Sequence, residues 1–250
     1  MPHTAADTIW AGTTTITGDG GDELEAYAAG RMGEGSRGGV VVIHHLPGYD
    51  AATKEMTRRF AVMGYDAICP NLYFREAPGA DPDDAAATVR ALGGVPDERL
   101  VGDVAGAAAA LRALPSSNQK VAVIGHCSGG RHAFLAATSL PLQAAVDCYG
   151  AFVVGEPPAG STLKARPLVG RAAQLACPLL GLFGTEDAYP SPEQVEELAK
   201  ALRDNDKRHE FHSFDDAGHA FFAVDRPGYR QHAATQGWRI IEDFFARTLA

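Results

Sequence analysis

Two hundred and fifty residues, 46% of them apolar, suffice to bury a full core, and the chain is read as a single α/β domain over 1–250. The formal charge of −9, with no basic cluster, excludes a nucleic-acid partner from the expectation. No run of ~18 apolar residues occurs, so no membrane-spanning helix is expected.

The first residues, Met1 to Thr8, lack the basic and apolar regions of a secretory leader, which points to the cytoplasm. Thr13–Ile16 and Glu23–Ala28 read as strands, with Gly18-Asp19-Gly20-Gly21 between them making a hairpin. Val40–Ile43 is a continuous apolar run, suited to a central strand covered on both faces. A helix begins near Asp50, with Met56, Phe60 and Met63 on one face. Asp66–Cys69 is a short strand closed by Pro70, and helices follow at Asp83–Leu92 and Asp97–Leu114. Val121–Ile124, Ala144–Tyr149 and Leu179–Phe183 are further strands, the last two separated by a long Pro- and Gly-rich loop, Gly155–Leu168. Pro192–Leu202 reads as a helix, Glu210–Phe214 as the last strand and Gln231–Leu249 as the closing helix. Strands alternating with helices predict a mainly parallel sheet with helices on both faces and an antiparallel N-terminal hairpin.

The most informative segment is Gly125-His126-Cys127-Ser128-Gly129, which lies between the Val121–Ile124 strand and a helical stretch. Strand, sharp turn and helix at G-x-C-x-G spacing is the nucleophile elbow of α/β-hydrolases, here with cysteine at the tip. The helix start behind it offers N–H groups and a positive dipole end, which favour a thiolate. The other cysteines, Cys69, Cys148 and Cys177, are widely spaced, form no C-x-x-C and are read as reduced.

A thiol nucleophile needs a base, and the base needs an orienting acid. In α/β-hydrolases these follow in the order nucleophile, acid, histidine, each in a loop after a strand. Gly184-Thr185-Glu186-Asp187 follows one strand and Asp216-Ala217-Gly218-His219 follows another, so Cys127, Asp187 and His219 are the candidate triad. Glu186 is the alternative acid, and Ser128 the alternative nucleophile, although the turn aims the third residue of the motif upward. His209 and His212 could join His219 on a metal, but no Cys/His quartet supports this, and neither metal nor cofactor is expected. The oxyanion donors are expected from the N–H of Ser128 and that of Leu46, in His44-His45-Leu46-Pro47-Gly48. Pro47 has no N–H to give.

From about Gly39 onward the chain resembles the dienelactone hydrolase family. The matching segments are Asn71–Gly79, Gly125–Gly130, Asp147-Cys148-Tyr149-Gly150, Gly184–Asp187 and Ala217-Gly218-His219-Ala220-Phe221. The resemblance implies hydrolysis of a lactone or ester through a Cys-His-Asp triad and a thioester, without a cofactor, with dienelactones (carboxymethylenebutenolides) from aromatic degradation as founding substrates. It also implies that Arg75 pairs with a substrate carboxylate, a task suited to a bidentate guanidinium. Tyr73, Phe74, Tyr149 and Phe221 are the aromatics expected around the substrate. The pattern departs at two places. His45 stands where founding members carry a glutamate that meets the resting cysteine, so His45 is expected in the pocket, modulating Cys127. Ala223 stands where they carry a second carboxylate-binding arginine, with Arg226 and Arg131 nearby in sequence. These departures leave open a broader carboxylesterase or thioesterase acting on neutral esters, and a non-catalytic binding protein on the same fold. The partner expected is a small-molecule lactone or ester, with the chain a monomer or small homo-oligomer.

Overall fold

Strands β1 (Ile9–Thr17) and β2 (Glu23–Arg31) pair antiparallel across the expected glycine-rich turn. The chain then alternates through β3 (Arg37–Ile43), α1 (Ala51–Val62), β4 (Asp66–Pro70), α2 (Pro82–Leu92), α3 (Asp97–Arg112), β5 (Ser117–His126) and α4 (Ser128–Ala137). It closes with β6 (Ala144–Cys148), β7 (Leu179–Gly184), α5 (Pro192–Asp204), β8 (His209–Phe214) and α6 (Gln231–Leu249). This computed structural model describes residues 8–250, so most of the segment behind the leader expectation lies outside the described residues.

The eight strands form one sheet in the order β1-β2-β4-β3-β5-β6-β7-β8. From β4 to β8 every neighbouring pair is parallel, whereas β2 meets β4 antiparallel. The apolar runs fall at the centre, where Val40–Ile43 and Val121–Ile124 are covered on both faces. On one face they pack with α2, α3, α4 and α5, and on the other with α1 and α6.

Local chemistry fixes several helix ends. Asp50 caps α1 by accepting from the Thr53 N–H at 2.8 Å. Ser191 and Gln194 form a reciprocal capping box at α5, with Pro192 in the first turn. Gly93 ends α2 in the left-handed conformation that glycine adopts without strain. The strands run longer than their apolar runs. β5 begins at Ser117, where it pairs with Arg37 at the wet end of the sheet, and polar residues there carry no hydrophobic signal.

Parallel strands deliver the loops after β3, β5, β7 and β8 to the carboxyl edge of the sheet, where open α/β folds bind ligands. That edge carries His45, Leu46, Cys127, Asp187 and His219.

Candidate functional site

The turn between β5 and α4 is held by backbone contacts that only glycine permits. A Cβ on Gly125 would lie 2.0 Å from the Gly129 carbonyl oxygen, and one on Gly129 would lie 2.4 Å from that of Ile43. The end of β5, the start of α4 and the end of β3 therefore touch main chain to main chain. Between the two glycines Cys127 adopts φ 56° and ψ −122°, a conformation that costs an L residue about 1–3 kcal/mol. Its N–H donates to the Cys148 carbonyl at 3.0 Å, and its own carbonyl accepts from Gly130 N–H at 2.9 Å. Cys127 is the N-cap of α4, and Ser128 already belongs to the helix.

Opposite the sulfur, the loop after β8 carries His219 and the loop after β7 carries Asp187. His219 Nδ1 lies 2.8 Å from Asp187 Oδ2, and Cys127 stands close enough to the ring to influence its charge. Asp187 is buried, and its second oxygen accepts from the Tyr189 N–H at 2.9 Å, so its orientation is fixed. Burial disfavours charge on His219, but the bond to Asp187 and the neighbouring Cys127 outweigh it and push the imidazole up to about 10. Of the two acids in the β7 loop, Glu186 is exposed and Asp187 meets the histidine.

Cys127 and His219 border a cavity of about 990 Å³ that also touches His45, Leu46 and Tyr149. Tyr149 presents its ring edge-on to His219, with centroids 5.2 Å apart. The cavity straddles the sheet edge. Arg59, Met63 and Trp238 from α1 and α6 wall one side, and Ala86, Ala87 and Arg90 from α2 wall the other.

Three expectations require correction. Arg75 does not reach the cavity: its guanidinium makes two 2.9 Å bonds to the fully buried carboxylate of Asp103 and one of 2.8 Å to Asp22. A buried carboxylate must be paired, and Asp103 claims the arginine for that purpose. Phe221 is wholly buried and packs against Tyr149, Phe214 and Phe222, so Phe222 is the cavity aromatic of that pair. Tyr73 and Phe74 belong to the core on the α2 face, where the Tyr73 ring meets His44 edge-on at 4.6 Å.

His45 does border the cavity, with its Nε2 3.2 Å from Asp50 Oδ2 and its Nδ1 3.5 Å from Thr53 Oγ1. Of the two candidates to replace the arginine absent at Ala223, Arg131 is buried in a bidentate pair with Asp97 and a bond to the Arg166 carbonyl. Arg226 lies at the cavity wall. His209 bonds the Lys207 carbonyl and His212 bonds Glu210. Among the described residues no group of three or more His, Cys, Asp or Glu side chains is placed to hold a metal ion.

Sequence reasoning passed over Met56, Met63, Trp238 and His126 as cavity residues. The two methionines were legible as an apolar helix face, and Trp238 as an apolar position of the closing helix. Periodicity does not distinguish a face against the core from one against a cavity. His126 carried no signal beyond its place before Cys127.

The profile of the dienelactone hydrolase family matches residues 24–249. The chain belongs to the dienelactone hydrolase family. It is 35% identical over 254 residues to a Salmonella typhimurium protein named "Putative carboxymethylenebutenolidase", covering 99% of this chain and 91% of that one. It is 30% identical over 212 residues to the carboxymethylenebutenolidase of Pseudomonas putida, covering 83% and 84% of the two chains. A crystal structure titled as a "Putative Dienelactone Hydrolase" from Klebsiella pneumoniae superposes with a TM-score of 0.84 at 31% identity, over 96% of this chain and 99% of that one. The fold is that of the α/β-hydrolases, and the protein is a dienelactone hydrolase-like hydrolase of ester or lactone bonds.

Proposed function

We propose that the protein, acting as one domain in the cytoplasm, cleaves a small-molecule ester or lactone by transferring its acyl group to Cys127. The observation that carries this reading is the juxtaposition of Cys127, His219 and the buried Asp187, the histidine bonded to the aspartate and both Cys127 and His219 bordering one cavity. Cys127 attacks the carbonyl as a thiolate whose proton His219 already holds, and Asp187 holds the ring in orientation through Nδ1. The N–H groups of Leu46 and Ser128 receive the oxyanion, a contribution worth several kcal/mol. His219 returns the proton to the leaving oxygen, then activates the water that hydrolyses the thioester. No cofactor enters the scheme.

His45 plays a lesser part in this scheme. Its Nε2 faces Asp50, which also caps α1, so the pair ties the Leu46 loop to the start of that helix. We assign it the role of steadying Leu46 beside the thiol.

Within this chemistry a neutral ester is favoured over an anionic dienelactone. Arg75 is consumed by Asp103, Ala223 offers no cation, and the arginines that do border the cavity, Arg59, Arg90 and Arg226, share it with Glu55, Asp83, Asp225 and Glu242. The test compares kcat/KM for a dienelactone and a neutral aryl ester, and follows a slow ester by mass spectrometry. A hydroxylamine-labile adduct on Cys127, with turnover abolished in Cys127→Ala, is expected. Full turnover by that variant, or an adduct spread over Cys69, Cys148 and Cys177, overturns the acyl-transfer reading. A clear preference for the dienelactone overturns the choice of substrate.

A further inference from the structure

The two halves of the cavity lie on opposite faces of the sheet, and the two ends of an ester need different neighbours. Leu46 packs with the core on the α2 face, so the proposed oxyanion donor sits toward α2. The loop after His219 belongs to the other face: Ala217, Phe221 and Phe222 pack into the core with α6, and Phe222 meets Trp238 at 5.4 Å. The group that leaves must stand beside His219, because that imidazole protonates it. The leaving alcohol therefore enters the arm between α1 and α6.

That arm carries an apolar strip beyond the reacting centre, and the charged Glu55, Asp225, Arg226 and Glu242 also stand in the cavity lining. Met56, Met63, Phe222 and Trp238 wall it, and the Arg59 guanidinium lies over the Trp238 ring at 4.1 Å. At its lips stand Val62 on α1, 68% exposed, and Val224 on the loop after His219, 73% exposed. The cavity's volume of about 990 Å³ is at the top of the range for drug-sized ligands, far more than a small lactone ring fills.

We propose that the α1/α6 arm is a subsite for an extended apolar alcohol, so that the preferred substrates are esters with a long or aromatic leaving group. This rests on the acyl-transfer reading above. In the step concerned, the Cys127 sulfur bonds to the acyl carbon, the carbon–oxygen bond to the alcohol breaks, and the alcohol oxygen takes the proton that His219 received from the thiol.

Two isomeric esters test it: hexyl acetate, which carries its chain on the leaving side, and ethyl hexanoate, which carries it on the acyl side. Linear alcohols leave with similar intrinsic ease, so kcat/KM relative to ethyl acetate reports the fit of the chain. Burying a methylene is worth roughly fourfold, so hexyl acetate is expected to exceed ethyl acetate by more than tenfold and ethyl hexanoate by less. Val62→Glu and Val224→Glu, both at exposed positions where folding is unaffected, are each expected to cut the advantage of hexyl acetate at least threefold. An equal or larger gain for ethyl hexanoate, no gain for either ester, or lip variants without effect overturns the proposal. Cys127→Ala is assayed beside them: if it still hydrolyses the esters, the acyl-transfer reading has failed. If it is inactive and the chain preference lies on the acyl side, the subsite assignment alone has failed.

Discussion

Arg75 grips Asp103 through two parallel N–H···O bonds of 2.9 Å, and Asp103 has no exposed surface at all. The pair ties the loop after β4 to α3, and Asp22 extends it to the N-terminal hairpin. Removing the arginine strands a carboxylate in the interior, which typically costs about 3–5 kcal/mol. Arg75→Ala is therefore expected to lower the melting temperature by 5 °C or more, and Arg75→Lys to recover only part of the loss, because a point charge cannot reproduce the fork. The KM for anionic and neutral esters should shift by the same small factor in both variants. A loss confined to anionic substrates would restore Arg75 to the binding site.

A second expectation concerns the imidazole of His219. With Asp187 and Cys127 raising it to about 10, it keeps its proton through neutral pH and loses it only in alkali. Its folded value lies above the ordinary 6.5, so its contribution to stability is complete below about pH 6.5 and fades as pH rises toward 10. Asp187→Asn removes the main supporting charge, and NMR titration should find the ring several units lower. The same variant should lose about two to four orders of magnitude in kcat, because the ring is no longer held in the required form. An unchanged titration would show that Asp187 does not govern it.

Three histidines outside the triad, His44 and His126 buried and His132 half-buried, behave in the opposite sense. Burial lowers His44 to about 4 and both His126 and His132 to about 3, so all three are neutral in the native protein at pH 7. His44 is satisfied as a neutral ring, with Nδ1 bonded to the His45 carbonyl and Nε2 accepting from Leu72 N–H. Groups whose folded values are depressed stabilise the native state above about pH 6.5, and that share is lost as pH falls toward 3–4. The melting temperature is expected to drop steeply between pH 6.5 and 4. His126→Phe, in a setting already shared with Phe222 and Trp238, should shallow the drop. A parallel curve would remove His126 from the account.

Asp147 is a buried acid outside the proposed chemistry. One oxygen accepts from Gly150 N–H at 2.7 Å, the other has no partner, and burial raises the carboxyl to about 7. Its folded value is above the ordinary carboxylate range, so ionisation weakens the native state as pH rises through 7. Asp147→Asn keeps the acceptor for Gly150 and avoids the buried charge. Relative to the parent, its melting temperature should therefore improve between pH 5 and 8.5, and a constant difference would contradict the assignment.

Much of this site was legible in the residues because the elbow couples spacing to backbone geometry. Gly125 and Gly129 are required by contacts of 2.0 and 2.4 Å, so the pattern around Cys127 carries three-dimensional information. The parallel order likewise brought Asp187 and His219 to the same edge. Arg75 failed for a reason no local pattern contains: the partner that captures it, Asp103, lies on another helix and looks in sequence like any other helical acid. Phe221 and Phe222 differ by one position along a loop, and only the fold decides which ring turns to the core and which to the cavity. The strand ends at Ile9 and Ser117 were missed because pairing there involves polar, solvent-facing residues.

A ligand lying astride the sheet edge has its two ends on opposite slopes. Changes on the α2 slope would reshape preference for one end while leaving the other untouched, and changes between α1 and α6 would do the reverse. Such a layout lets selection, or a protein engineer, adjust each half of the molecule separately while the reacting atoms stay where the ridge puts them.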